Sequence, residues 1–306
     1  MNSIYTTTIT DEAKRRGIAI RVIESQTPIF ILSHGGKDIR CYNSLTDHVG
    51  AVSFHMAQNK HLANHFLKTK GFVVPEQEIF LDMKHAEFFL KRHGRIVVKP
   101  CTQWGGRGVS VGVTTVDDLR KAVSRAKRYE EDVALERSVC GEDYRLIFVN
   151  YRYVAAILRK PAEVTGNGKD SVRQLVIRRN REARLRDRSN VIPLDMETER
   201  NLRELGWDWG DIPRKGQRAQ VRLTSNYHTG GTVEIVTDRV PRELVRTAGR
   251  AVRALNIPVI GVDFLVDAKR GRNWIIELSP DLAISPPEGE EVARRYIDYL
   301  FPETAG

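Results

Sequence analysis

Residues 95–113, RIVVKPCTQWGGRGVSVGV, decide how this chain is read. A mostly apolar run from Arg95 to Val98 leads into Lys99, a glycine-rich loop follows, and a second β-branched run, Val109 to Val113, leads away. That order predicts strand, loop, strand. A dinucleotide-binding or P-loop phosphate site needs a helix opening directly after the glycines, so that its N-terminal N–H groups face the anion. Here the helix comes later, with Thr115 as its N-cap, Asp118 at N3 and Leu119, Ala122, Val123 and Ala126 on its apolar face. The glycines therefore fit a hairpin flap that folds over a phosphate and offers it backbone N–H groups, with Lys99 as a point charge beneath. An ordinary surface hairpin ending in a lysine explains the same residues equally well.

The totals narrow the class. A length of 306 residues allows one large domain or two to three smaller ones. Hydrophobic content of 41% and charged content of 29% are those of a globular chain, and no apolar run approaches a membrane span. The N-terminus lacks a signal-peptide pattern. Cys41, Cys101 and Cys140 have neither disulfide-framework nor zinc-site spacing, which fits a reducing cytoplasm. A net charge of +10 asks for an anionic partner or substrate, and much of it lies between Lys169 and Arg188, where eight basic residues face three acidic ones.

Outward from the loop, residues up to about 53 read as a small α/β lead-in, with a short helix over 11–16 and strands over 18–23, 29–33 and 39–42. Ala51 to Lys70 reads as helix broken near Asn59, and Leu81 to Lys91 as another helix. His61 and His65 share a helical face, but without the glutamate of a zinc-protease motif they read as solvated. Alternation in YRLIFV and YRYVAAIL, residues 144–149 and 151–158, predicts two antiparallel strands. An arginine-rich helix follows the turn at Thr165–Lys169. Residues 188–216 are polar and irregular, a long insertion of the kind that serves as a functional flap. Gln220–Leu223 and Thr232–Val236 flank a turn at 227–231. A helix runs from Pro241, placed at N1, to Leu255, with apolar positions 244, 245, 248, 252 and 255.

The C-terminal hairpin carries the strongest physical signal. Val259 to Val266 and Trp274 to Leu278 read as its strands. A turn centred on Arg270 pairs residues whose numbers sum to 540, setting Asp263 opposite Glu277 with 261, 265 and 275 on the same face. Two opposed carboxylates repel unless a positive charge lies between them. Magnesium, which takes hard oxygen ligands, supplies it; so does a lysine or arginine, and a one-residue register slip would undo the pairing.

Taken in order, five segments resemble the ATP-grasp superfamily, and specifically the ATP-grasp portion of cyanophycin synthetases and bifunctional glutathione-forming enzymes. They are IVVKPCTQWGGRGVSVGV, ALERSVCGEDYRLIFV, RKPAEVTGNGKDSVRQLV, VRLTSNYHTGGT, and IGVDFLV with IIELS. The resemblance implies an α+β ATP-grasp fold of two α/β subdomains clasping ATP, with boundaries at 1–53 (lead-in), 54–135 (first subdomain with the glycine loop) and 136–306 (C-terminal subdomain with the metal site). It implies that Lys60 and Lys99 hold ATP phosphates and that Gly105, Gly106 and Gly108 cover them. Glu136 with Arg137 to Val139 would read adenine, and Asp143 the ribose. Arg145, Arg159 and Arg222 would meet phosphates and the reacting carboxylate, and Asp263, Glu277 and Ser279 would hold Mg²⁺.

The implied activity is an ATP-dependent carboxylate-amine ligase working through an acylphosphate on an amino acid, short peptide or related small molecule, in the cytoplasm and away from membranes. The glycine loop and the 188–216 segment are candidates for the lid that excludes water from that intermediate. A homodimer is compatible. A non-catalytic ATP-binding module is the alternative, and a nucleic-acid binder using the arginine helix is disfavoured because no aromatic-interleaved RNA motif accompanies it. Two departures stand out. Ser279 occupies the place where the family has asparagine, and Asp281 to Ile284 lack the glycine and basic residues expected near substrate. The chain also lacks the second, ligase-like half of cyanophycin synthetases, so their two-residue cycle is not expected of it alone.

Overall fold

The computed structural model describes residues 4–24, 27–282 and 289–305. In chain order the elements begin with α1 (Ile4–Arg15), β1 (Ala19–Val22), β2 (Ile29–His34), β3 (Lys37–Tyr42), β4 (Leu45–Thr46), α2 (Ala51–Gln58) and α3 (Lys60–Thr69). Then come β5 (Gln77–Ile79), α4 (Met83–His93), β6 (Ile96–Pro100), β7 (Ser110–Val113), α5 (Val116–Lys127) and β8 (Val133–Arg137). They are followed by β9 (Glu142–Val149), β10 (Arg152–Lys160), β11 (Glu163–Thr165), α6 (Val172–Arg186), α7 (Met196–Glu204), β12 (Arg218–Gln220) and β13 (Thr232–Ile235). The chain continues through α8 (Arg242–Leu255), β14 (Ile260–Asp267), β15 (Arg272–Ser279) and α9 (Gly289–Leu300).

These elements form two compact units, each assembled from separated stretches: Met1–Val74, Tyr144–Leu158 and Ile235–Gly306 in the first, Pro75–Asp143 and Arg159–Glu234 in the second.

In the first unit β1 to β4 form an antiparallel meander, and a second sheet carries the order β10-β9-β14-β15. That second sheet is buried on both faces. Leu146, Phe148, Val262 and Phe264 join α3 and α8 in one core, whereas Ile147, Val149 and Val259 join α1, β2 and α9 in another. Residues of both parities are therefore apolar in β9 and β10, which is why their alternation in sequence is only partial. The helix break at Asn59 is present: Asn59 ends α2, and its side chain accepts from His61 N and Leu62 N to start α3. Pro241 is the N-cap of α8 rather than its N1 residue, and Asn256, at φ +54°, ends that helix.

In the second unit the sheet order is β5-β8-β6-β7, packed against α4 and α5 around Phe89, Val98, Leu119 and Leu135. β6 and β7 are antiparallel neighbours joined by the glycine loop. Thr115 caps α5 by accepting from Asp118 N at 3.1 Å, and the four apolar positions assigned to that helix are the buried ones. The helix expected over 81–91 sits at Met83–His93, because Asp82 is its N-cap.

A smaller core of Val164, Leu175, Val176, Ile192, Leu202 and Val221 unites α6, α7, β11 and β12, with Trp207 and Trp209 against it. Here one expectation is corrected. The 188–216 segment is not irregular throughout, since α7 occupies 196–204; its buried face is mostly polar (Glu197, Thr198, Arg200, Asn201), so no apolar periodicity announces it. β12 pairs with β11, Val164 facing Ala219, and the 227–231 turn contains a short 3₁₀ helix, Tyr227–Thr229.

Candidate functional site

In the first unit the site is built on the β14–β15 hairpin. Asp263 lies directly opposite Glu277, and Gly261 opposite Ser279, which is the register expected from the sequence. A bulge then shifts the pairing between Asp263 and Phe264, so that Phe264 faces Ile275. Ile275 is thereby turned into the α3–α8 core and does not share the face of the acids, contrary to expectation.

Both acids meet cations. Arg145, on β9 next to β14, donates Nε to Asp263 Oδ1 at 2.7 Å and Nη2 to Oδ2 at 2.8 Å, and the same Nη2 donates to Ser279 Oγ at 2.9 Å. Asp263 is fully buried, so this two-pronged pairing is the form in which its charge is tolerable. A Cβ at Gly261 would come closest to Leu282 Cδ1, at 3.2 Å, and would lie 3.4 Å from Arg145 Cδ. Lys60, the first residue of α3, places Nζ 3.1 Å from Glu277 Oε1. Among the described residues no group of three or more His, Cys, Asp or Glu gathers into a metal cage. Two carboxylates and a hydroxyl on one strand pair nonetheless suit magnesium, which is held by one or two carboxylates with substrate phosphates and water completing its shell.

In the second unit Lys99 and Glu136 are both buried, and Lys99 Nζ donates to Glu136 Oε2 at 2.7 Å. The cause is register: Val97 of β6 faces Glu136 of β8, so Lys99, two residues along, shares its side of the sheet. Gln77 of β5 donates to the same Oε2 at 2.8 Å. The Glu136 side chain is thus committed to Lys99 and Gln77, while Arg137 is exposed and Val139 half-buried where the chain leaves β8. Arg159 Nη2 donates to Asp143 Oδ1 at 2.6 Å. Arg222 is buried; its Nη1 donates to Thr198 Oγ1 at 2.8 Å, and its Nε has no hydrogen-bond partner. Burial lowers its pKa, with Asp195 and Glu197 acting in the opposite sense.

The glycine loop owes its shape to positive φ. Gly106 and Gly108 sit at φ +74° and +72°, and a Cβ would come within 2.8 Å of Asn226 Nδ2 at the first and of Pro100 Cγ at the second. Trp104 stands 62% exposed on the loop with the Arg107 guanidinium 4.1 Å above its ring.

Gln77, Asp195, Glu197 and Asn226 were not singled out from sequence. Asn226 could have been, since it lies inside the NYHTGG stretch; the others carry no local signal. Of the basic residues between Lys169 and Arg188, only Arg179 is drawn inward, donating to the carbonyl oxygens of Asn190 and Gly230, and the rest are exposed. Of the stretch Asp281 to Ile284, which lacks the glycine and basic residues expected near substrate, Ala283 and Ile284 lie outside the described residues.

No family model matches the chain. It is 26% identical over 314 residues to cyanophycin synthetase from Nostoc sp., covering 97% of this chain and 35% of that one. It is 27% identical over 311 residues to the glutathione biosynthesis bifunctional protein of Clostridium perfringens, covering 95% and 40%. The chain thus spans between a third and two fifths of the length of these relatives. Among solved structures, a bifunctional glutathione synthetase from Pasteurella multocida superposes with a TM-score of 0.64 at 25% identity, over 98% of this chain and 43% of that one.

Proposed function

We propose, from the ATP-grasp fold that this chain shares with those ligases, that it is an ATP-dependent carboxylate-amine ligase acting on an amino acid, a short peptide or a related small molecule in the cytoplasm. The observation that carries the reading is the pair Asp263 and Glu277, held opposite one another with Arg145 and Lys60 against them.

In this reading Lys60 and Lys99 bind phosphate oxygens and Gly105, Gly106 and Gly108 cover them. Glu136, Arg137, Val139 and Asp143 border the nucleoside. Asp263, Glu277 and Ser279 would hold Mg²⁺, which neutralises phosphate charge when bound. The substrate carboxylate oxygen attacks the γ-phosphorus, and the bond from that phosphorus to the bridging oxygen breaks with its electrons leaving on ADP. Arg145, Arg159 and Arg222 stabilise the charge that develops. An amine nitrogen then attacks the acyl carbon, phosphate departs with the C–O electron pair, and the amine proton passes to solvent. The covering loop keeps water from the acylphosphate meanwhile.

The test is phosphate and ADP release with ATP, Mg²⁺ and a panel of amino acids and dipeptides. Release is expected only with a matching acid and amine, and Asp263→Asn should lower it by about 100-fold, because the metal that would stabilise the transferring phosphoryl group loses a carboxylate ligand. Unchanged release in Asp263→Asn and Glu277→Gln refutes the assignment. A second reading, ATP binding without turnover, draws on Arg145, which engages both Asp263 oxygens and Ser279 together. It is recognised by calorimetric ATP binding with no product from any mixture.

A further inference from the structure

We propose that Glu197 is a positioning residue, the buried anion through which α7 holds the exit strand of the glycine loop and the loop at Arg222–Gly231 in one fixed relation. The inference rests on the ligase reading only for its consequence on turnover; the structural coupling stands on contacts within the second unit.

Glu197 lies in the first turn of α7 and is 4% exposed. Its Oε2 takes an ion pair from Arg125 of α5 and a hydrogen bond from Arg200 Nε at 3.2 Å. Its Oε1 accepts from Arg200 Nη2 at 2.7 Å and from Asn201 Nδ2 at 2.9 Å. The carboxylate is therefore saturated and surrounded by donors. Burial pushes its pKa up, but the hydrogen bonds and charges of Arg200, Arg125 and Asn201 outweigh burial and leave it below the ordinary value.

The two residues that Glu197 orients then reach outward in different directions. The Arg200 guanidinium donates to the backbone carbonyls of Val111 and Gly112 in β7, the strand that carries the chain out of the glycine loop. Asn201 Oδ1 accepts the backbone N–H of Leu223 at 2.7 Å. One turn back, Thr198 Oγ1 receives Arg222 Nη1. Midway along, the same loop brings Asn226 against Gly106. The two loops thus touch each other directly and are also joined through α7.

A helix placed only to complete a small core would bury apolar side chains. α7 buries Glu197, Thr198, Arg200 and Asn201, with Leu202 as its apolar anchor. Such a polar face is costly unless fully paired, and when paired it admits one arrangement and few others. A guanidinium fork that meets a carboxylate on one side and two strand carbonyls on the other has that property, because its donors are fixed in one plane. Without the Glu197 charge, the buried Arg200 and the half-buried Arg125 are left as like charges without their shared anion, and the contacts to β7 and Leu223 lose their common support.

The test is hydrogen exchange of the full chain without ligand, read by mass spectrometry, for wild type, Glu197→Gln, Arg200→Lys and Asn201→Ala. Glu197→Gln is expected to speed exchange at least tenfold in both 110–113 and 222–231, leaving α4 unchanged. Arg200→Lys, which cannot bridge two carbonyls, should act on 110–113 alone, and Asn201→Ala on 222–231 alone; this split survives as a test if Glu197→Gln fails to fold. Faster exchange confined to α7, or raised uniformly across the unit, overturns the proposal. ATP turnover of Glu197→Gln should fall about tenfold with KM for ATP changed less than threefold. If wild type neither binds nor turns over ATP, the ligase reading fails while the exchange pattern still decides the role of Glu197.

Discussion

The Lys99–Glu136 pair is the sharpest place to perturb the second unit, because both groups are buried and each is the other's counter-ion. Lys99→Met removes the ammonium and leaves the Glu136 carboxylate in the sheet. Stripping one partner from a buried pair costs about 3–5 kcal/mol. Gln77 still donates to Glu136 at 2.8 Å, which places the expected loss at the lower end, about 3 kcal/mol. For a domain of this size that lowers Tm by roughly 6–12 °C. Glu136→Gln should cost a similar amount by stranding the lysine. In the double variant neither charge remains, so its loss should fall short of the sum of the singles by about 2 kcal/mol, as expected of residues in direct contact. Urea unfolding of the four proteins measures the cycle. Additivity within about 0.5 kcal/mol would refute the buried-pair argument. Under the proposed role of Lys99 in binding phosphate, ATP binding should be weakened in Lys99→Met and in the double variant alike, since the second substitution restores stability but not the ammonium.

Three further outcomes follow from particular atoms. In the glycine loop Gly105→Ala meets open space at φ +68° and should cost about 1 kcal/mol of backbone strain, whereas Gly108→Ala drives a Cβ against Pro100 Cγ and Tyr129 Cδ2 and should cost about 3 kcal/mol, both read by denaturation. Because Glu197 has a lowered pKa, its stabilisation is present above the unfolded glutamate value of 4.5 and is lost as pH falls through the folded value. The stability gap between wild type and Glu197→Gln should therefore shrink on acidification, and a gap that widens would contradict the sign. Native protein should titrate one fast thiol with a disulfide reagent, Cys140. Cys41 and Cys101 are buried, and burial pushes the Cys41 thiol up to about 12, so their reaction awaits denaturant.

Sequence by itself determined what neighbours along the chain decide. The helix break at Asn59, the cap at Thr115, the strand-loop-strand around Lys99 and the opposition of Asp263 to Glu277 are set within a few residues or one hairpin, where periodicity and turn length leave little choice. Tertiary structure alone decided the rest. The bulge that turns Ile275 into the core depends on what covers the sheet, and the identity of the cations on the two acids depends on β9 and α3, far away in sequence. α7 was hidden for the same reason: a helix whose buried face is Glu197, Thr198, Arg200 and Asn201 looks solvated until Arg125, β7 and Leu223 arrive from elsewhere to pair with it. Apolar burial is written in local pattern because water opposes it everywhere alike, whereas a buried polar group is stable only beside particular partners, and those partners are chosen by the fold.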